Sequence, residues 1–334
     1  MIRMGSAQDI AVTPVIGTIL VISIMIAAIG IILAWGIPYM ERMREYSEVQ
    51  NILTQFRNIN DVVKEVCREG ENTTTIVRVT MREGNIHLDP KGDRIVIFYS
   101  TGTSKDYNFS ISDLDNDNES IFIKCNQNFL CNATATWLND SVSYSTTRNV
   151  GPSGEWFKFN RNLEGMVEID LLDDNTGEEI GRIWIFDLGS LCYKLTKRGF
   201  YRILVENGAI ISSNSPEGGY LESAYCWRKG KNLAMRIYQL NVDSGVSLSG
   251  PATYRFVLKS NKTALRENRN KTTYNLKIQV HGDSREAWYS YFVRDLGFRR
   301  DGDTIYLPSY NTHTKALTFS LTHFVCDISY GGIG

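Results

Sequence analysis

The stretch that decides the architecture is VIGTILVISIMIAAIGIILAW, Val15 to Trp35. It is 21 residues long and contains no charge. A bilayer core of ~30 Å needs roughly 20 apolar residues at 1.5 Å rise each, so this segment is long enough to span one as a helix. It exceeds the apolar part of a secretory signal, roughly 7–15 residues, and Pro38, Tyr39 and Met40 lead straight from it into charge without a small-x-small cleavage site. The segment therefore reads as a retained membrane helix. The charge-free run extends from Ile10 to Met40, 31 residues in all. Arg3 and Asp9 before it, and Glu41, Arg42, Arg44 and Glu45 after it, are too balanced to set an orientation.

Working outward, the periodicity continues past the apolar run. Met43, Tyr46, Val49, Ile52, Leu53, Phe56, Ile59, Val62, Val63 and Val66 recur at steps of three and four. Arg44, Glu45, Glu48, Gln50, Arg57, Asp61 and Lys64 occupy the opposite face, and Gly70 is suited to end the helix. A helix from Thr13 to Glu69 would be ~85 Å long, with Pro14 tolerated near its start and Pro38 expected to kink it. Its first half is apolar all round, and its second half carries one stripe that needs a partner.

From Thr74 onward, short alternating and β-branched runs predominate, among them 74–81, 94–100, 120–124, 166–172, 181–188, 200–206, 234–242, 253–259, 274–280, 304–308 and 317–328. Turn signals separate them, which predicts a mainly antiparallel, sandwich-like body. One segment, 283–298, has helical spacing instead. Ala287, Trp288, Tyr291, Phe292 and Leu296 make its apolar face, and Asp283 or Ser284 is placed to cap it. The expected class is α+β. The expected divisions are a leader at 1–11, a long helix at 12–70 (12–40 apolar, 41–70 amphipathic) and a β-rich body at 71–334, with two lobes, 71–190 and 191–334, as an option.

Composition narrows the function. The chain has 334 residues, 36 Lys and Arg against 37 Asp and Glu, and a net charge of -1. That balance argues against a basic nucleic-acid binder, and 43% hydrophobic content argues against a disordered chain. Seven Asn-x-Ser/Thr sequons, Asn72, Asn108, Asn118, Asn132, Asn139, Asn261 and Asn270, all follow the helix. So do all six cysteines, Cys67, Cys125, Cys131, Cys192, Cys226 and Cys326. An even count without C-x-x-C spacing suits disulfides in an oxidising compartment, with Cys125 and Cys131 spaced for a small loop closure; 15 pairings are open. Together these features predict a body outside the cell and an N-terminus inside.

No catalytic constellation stands out, and no enzyme, cofactor or metal is expected. His87, His281, His313 and His323 are isolated, and neither a phosphate loop nor G-x-S-x-G is present. Gly282-Asp283-Ser284 reads as a helix cap rather than a nucleophile turn. The acidic run Asp113, Asp115, Asp117, Glu119 fails as an EF-hand loop, because Asn118 and Lys124 stand where Gly and Glu are required. The frequent aromatics read as core and cross-strand packing.

Val12-Thr13-Pro14-Val15-Ile16-Gly17-Thr18-Ile19-Leu20, at the head of the apolar run, resembles the N-terminus of archaeal type IV pilin-like proteins, the superfamily that includes archaellins. The resemblance covers about 30 residues of this chain. It implies a class III signal peptide cut between Ala11 and Val12 by a prepilin-peptidase-like enzyme, with Gly5/Ser6 after Arg3 as a second candidate. It also implies that the helix is kept and packs against copies of itself or other pilin-like subunits through the filament assembly machinery. Pro14 and Gly17 carry the motif, and Ser23, Ala27, Ala28, Gly30 and Ala34 are small enough to let such helices approach. The body is longer than that of a typical major pilin, which favours a minor or tip subunit. The other reading is a membrane-anchored surface protein that does not polymerise and whose body binds a ligand or surface.

Overall fold

The computed structural model describes residues 9–101, 109–112, 120–125, 129–137, 142–150, 155–158, 165–196, 200–215, 219–222, 224, 226–242, 245–261, 265–311 and 315–333. The chain divides into two compact units, Met1–Asn51 and Ile52–Gly334. Helix α1 (Asp9–Glu69) is continuous and runs through both. In the first unit every large apolar side chain from Val15 to Met40 is more than half exposed, Trp35 at 82%. The helix does not break at Pro38. By length and composition it could cross a membrane.

In the second unit the predicted stripe is buried: Ile52, Phe56, Ile59, Val63 and Val66 are at most 1% exposed. Removing such side chains from water contributes roughly 1.5–3 kcal/mol each. Val62, also predicted in the stripe, is only half-buried. Polar contacts fix the register. The Gln55 Nε2 donates to the Thr80 carbonyl at 3.1 Å and its Oε1 accepts from the Thr80 N–H at 2.7 Å. Arg57 forms an ion pair with Glu222 at 2.9 Å.

The body is built of strands. In chain order they are β1 (Thr74–Met81), β2 (Asn85–Asp89), β3 (Arg94–Thr101), β4 (Phe109–Ser112), β5 (Ser120–Cys125), β6 (Phe129–Trp137), β7 (Val142–Val150) and β8 (Glu155–Lys158). Next come β9 (Met166–Asp173), β10 (Glu179–Asp187), β11 (Ser190–Leu195), β12 (Tyr201–Glu206), β13 (Ala209–Ser213), β14 (Tyr220–Glu222) and β15 (Cys226–Lys229). The last are β16 (Asn232–Val242), β17 (Val246–Ser249), β18 (Ala252–Ser260), β19 (Leu265–His281), β20 (Arg299–Asp301), β21 (Thr304–Tyr306) and β22 (Leu317–Ile333). Helix α2 (Arg285–Leu296) lies between β19 and β20.

Among the described residues three sheets result. The large one runs β1-β18-β22-β19-β3-β10-β9-β6-β7, with β15, β16, β20 and β21 attached. The second runs β14-β13-β12-β11-β2-β17, and the third β4-β5-β8. Among the described residues pairing is antiparallel except for β16 with β22, which are parallel over Asn232↔Thr318 to Val242↔Ile328. Both larger sheets take strands from either side of residue 190. The core joins Ile95, Ile97, Trp184 and Phe186 of the large sheet to Leu204, Ile211 and Leu221 of the second, with Trp288 and Phe292 of α2. The α+β class read from the sequence is the fold observed.

Two expectations need correction. Among the described residues no disulfide is formed, and Cys67, Cys192, Cys226 and Cys326 are thiols. Cys125, at the end of β5, is a thiol as well, so the expected Cys125–Cys131 closure is not formed; the side chain of Cys131 lies outside the described residues. Helix α2 is present, but neither Asp283 nor Ser284 caps it with its side chain. Ser284 holds the N-cap position through its backbone carbonyl, which accepts from the Ala287 N–H at 3.0 Å. Its C-terminus closes on Gly297, left-handed at φ 72°, with the Phe298 N–H donating to the Phe292 carbonyl at 3.1 Å. Tyr289 rather than Tyr291 completes the buried face.

Candidate functional site

Two places on the chain have chemistry to offer. The first is the exposed apolar helix. Gly17 and Gly30 would meet no atom within 4 Å if each carried a Cβ, and Ser23, Ala27 and Ala34 are likewise on exposed helix. Its hydroxyls are satisfied internally, Thr18 Oγ1 on the Val15 carbonyl at 2.9 Å and Ser23 Oγ on the Ile19 carbonyl at 2.8 Å. That arrangement suits an environment without water. Ala11, Val12 and Pro14 are helical in backbone, and their side chains lie outside the described residues.

The second is a cleft in the body, where the chain twice changes sheets. The β2–β3 turn leads from the second sheet into the large one, and Leu188-Gly189 leads back from β10 to β11. The Leu188 N–H donates to the Asp93 carbonyl at 2.9 Å, and the Leu240 N–H donates to the Leu188 carbonyl at 2.7 Å, which locks the two crossings together. Gly189 has φ 59°, and a Cβ there would strike the Leu240 carbonyl, so only glycine fits.

Beside this crossing lies a cavity of about 200 Å³. Its floor is one face of the second sheet, with His87 and Asp89 from β2, Ser190, Cys192 and Lys194 from β11, and Arg202, Leu204 and Glu206 from β12. Alternation places them together: Cys192 lies opposite His87 on one side and Leu204 on the other. The walls are Gly92-Asp93 and Gly282-Asp283-Ser284.

The cleft is organised by two buried carboxyls. Glu206 is 0% exposed; its Oε1 accepts from Trp288 Nε1 at 3.1 Å and its Oε2 from the Asp93 N–H at 3.0 Å. Asp93, 3% exposed, accepts from the Ser284 N–H at 3.0 Å. Arg202 closes the group, donating to Asp283 Oδ2 at 3.2 Å, the Asp283 carbonyl at 3.3 Å and Ser284 Oγ at 3.2 Å. The arginine is itself 4% exposed, and its Nε has no hydrogen-bond partner among the described residues.

Burial pushes Asp93 up to about 7, against the opposing pull of the Ser284 N–H and the Arg202 charge. Burial, then repulsion from Asp93, pushes Glu206 well above the usual carboxylate range. Two carboxyls in one dry site cannot readily both ionise, so the pair retains a proton where ordinary carboxylates have lost theirs. Burial also pushes the Cys192 thiol up to about 11, so it is protonated and a poor nucleophile at neutral pH.

Residues 11–121 match the model of a family described as one of unknown function (DUF7289). No curated protein and no solved structure matches the chain. The matched stretch takes in α1 from Ala11 and the strands β1 to β4, hence His87, Asp89 and Asp93, but neither Arg202 nor Glu206.

The other sequence-derived candidates are dispersed. Asn72 is exposed at the α1–β1 turn, with φ 69°. Asn261 is exposed, and its Nδ2 donates to Asp327 Oδ2 at 3.3 Å. Asn108, Asn118, Asn139, His313 and the acidic run 113–119 lie outside the described residues. So do the side chains of Asn132, on β6, and Asn270, on β19. His323 is a core residue bonded to Gln239 Oε1 at 2.8 Å, and burial pushes its ring down to about 3. Among the described residues no three His, Cys, Asp or Glu side chains are grouped to hold a metal ion.

Sequence reasoning took Asp283 and Ser284 for a helix cap and passed over Asp93, Arg202 and Glu206. A signal for Glu206 was present. It is the sole charge in Ile203–Ile211, a run otherwise apolar but for the Asn207-Gly208 turn.

Proposed function

We propose that this chain is a pilin-like subunit of an archaeal surface filament, or a minor or tip component of one, held in the membrane before assembly and polymerised through α1. The observation that carries the proposal is the helix from Val15 to Met40, whose large apolar side chains are all more than half exposed. Such a surface is stable only when covered. A bilayer covers it for a monomer, and neighbouring helices cover it in a filament, where the small residues at Ser23, Ala27, Gly30 and Ala34 permit close approach. The sequons beyond the helix support an outward-facing body.

N-terminal sequencing of the protein from native membranes and from sheared surface material tests this. A start at Val12, with recovery in the sheared fraction, is the expected result. An intact Met1 confined to membranes refutes polymerisation.

The body supports a second reading, a non-polymerising surface protein whose cleft binds a ligand. Its supporting observation is the polar cavity built around Asp93, Glu206 and Arg202, since a protein whose only role is to stack helices has no need of buried charge at that cost.

A further inference from the structure

The strongest feature left unused by this reading is a meeting of two thiols. Cys67 stands in the last turn of α1 and is 4% exposed; Cys326 stands on β22 and is 0% exposed. Backbone geometry brings them together. Past Gly70 the chain turns, the Asn72 N–H donates to the Ser260 carbonyl at 3.0 Å, and the Ser260 N–H donates to the Thr73 carbonyl at 2.8 Å. Ser260 is the β18 residue directly opposite Cys326. The next residue, Asn261, donates its N–H to the Val325 carbonyl at 3.0 Å. The end of α1 is thus stitched to the sheet at the register step of Cys326, with Cys67 in the helical turn that leads into this junction; the Cys326 thiol itself donates to the Asp327 carbonyl at 3.8 Å.

We propose that Cys67 and Cys326 are a disulfide-forming pair that fastens the last turn of α1 to the C-terminal strand when the chain meets a disulfide oxidant. The oxidant is a low-molecular-weight disulfide or a protein dithiol–disulfide carrier. One thiol, deprotonated, attacks a sulfur of the oxidant; the oxidant's S–S bond breaks and its first thiol leaves. The second cysteine then attacks the mixed disulfide, the Sγ–Sγ bond forms, and the second thiol of the oxidant leaves. Two protons and two electrons pass from the chain to the oxidant. In the structure both cysteines are thiols, so the bond is an added state of the same fold. Cys192 lies in the cleft on β11 and Cys226 begins β15, both apart from this junction.

The bond would close a loop over most of the body and fix the residues through which α1 enters it. Hydrogen bonding to Cys67 and burial both push ionisation of the Cys326 thiol far upward. Exchange is therefore slow in the closed fold and proceeds through local opening. The proposal stands apart from the filament reading, because it needs only this junction and an oxidant.

The test uses the full chain in detergent, incubated at neutral pH with oxidised glutathione, then denatured, alkylated and digested without reductant. The expected product is a linked peptide pair containing Cys67 and Cys326, with a rise in unfolding temperature on the order of 5 °C that reductant reverses. Alkylation of both cysteines, glutathione adducts alone, or linkage of either to a different cysteine would overturn the proposal. Cys67→Ser and Cys326→Ser are each expected to leave the remaining partner alkylated and to abolish the temperature rise; a rise that persists in either variant also overturns it.

Discussion

Replacing Asp93 by Asn is the sharpest probe of the cleft. In the unfolded chain Asp93 loses its proton near 3.8; in the fold burial moves this to about 7. Between those values the folded state holds a proton that the unfolded state has released, so the free energy of unfolding falls as pH rises. The sign is that of a raised acid: stability is fullest below the unfolded value and is lost progressively up to the folded one. The difference amounts to ~4 kcal/mol, on the rule of about 1.4 kcal/mol per tenfold change in proton affinity. Asn keeps one acceptor for the Ser284 N–H, which donates to Asp93 Oδ2 at 3.0 Å, and it cannot ionise. The variant is therefore expected to gain on the parent from about pH 4 up to about pH 7, the difference levelling off above that. For a body of this size the pH-dependent gain corresponds to on the order of 10 °C in unfolding temperature. The assay is thermal unfolding of the full chain in detergent at intervals from pH 4 to 8, comparing differences between the two proteins so that other titrating groups cancel. Parallel curves for parent and variant would refute the buried-pair argument.

Three further outcomes follow from particular contacts. Gly282→Ala is expected to cost at least ~2 kcal/mol in denaturant unfolding, because φ is 128° there and a Cβ would run into the Asp93 carboxyl. Gln55→Ala is expected to cost ~1 kcal/mol, since it strips both Thr80 backbone groups of the amide that covers the edge of β1, and hydrogen exchange at the Thr80 amide should quicken. Ile26→Arg, placed in the middle of the exposed apolar segment, is expected to penalise bilayer insertion by roughly 2.5–3.5 kcal/mol, read as loss from the membrane fraction after carbonate washing.

What the sequence discloses is whatever is local. The apolar run declares itself by composition, and Ile52, Phe56, Ile59, Val63 and Val66 declare a buried stripe by spacing. Most strands follow from alternation, including the 94–100 run that became β3, whose residues Ile95 to Ser100 are all buried. Pairing is not local. Nothing in residues 232–242 signals a parallel partner in residues 318–328, and bulges shift the register where β19 meets β22 and β3.

The cleft belongs to the same class of hidden fact. Asp93, Arg202, Glu206 and Ser284 lie on three separate stretches of chain, and each alone has an ordinary surface reading. Asp93 follows Pro90-Lys91-Gly92, Glu206 precedes the Asn207-Gly208 turn, and Ser284 opens a helix. Turn chemistry predicts exposed polar residues at such points. Here, however, the Asp93 turn is where the chain crosses between sheets, and the Glu206 hairpin and the start of α2 are hydrogen-bonded to it. The hydrogen bonds that a turn residue would ordinarily make with water are made instead by Trp288 Nε1, the Asp93 N–H and Arg202. The same argument bears on Cys67 and Cys326, 259 positions apart, which meet only because the turn after α1 is hydrogen-bonded to Ser260. In both cases a residue's chemistry is decided by which strand the fold lays beside it.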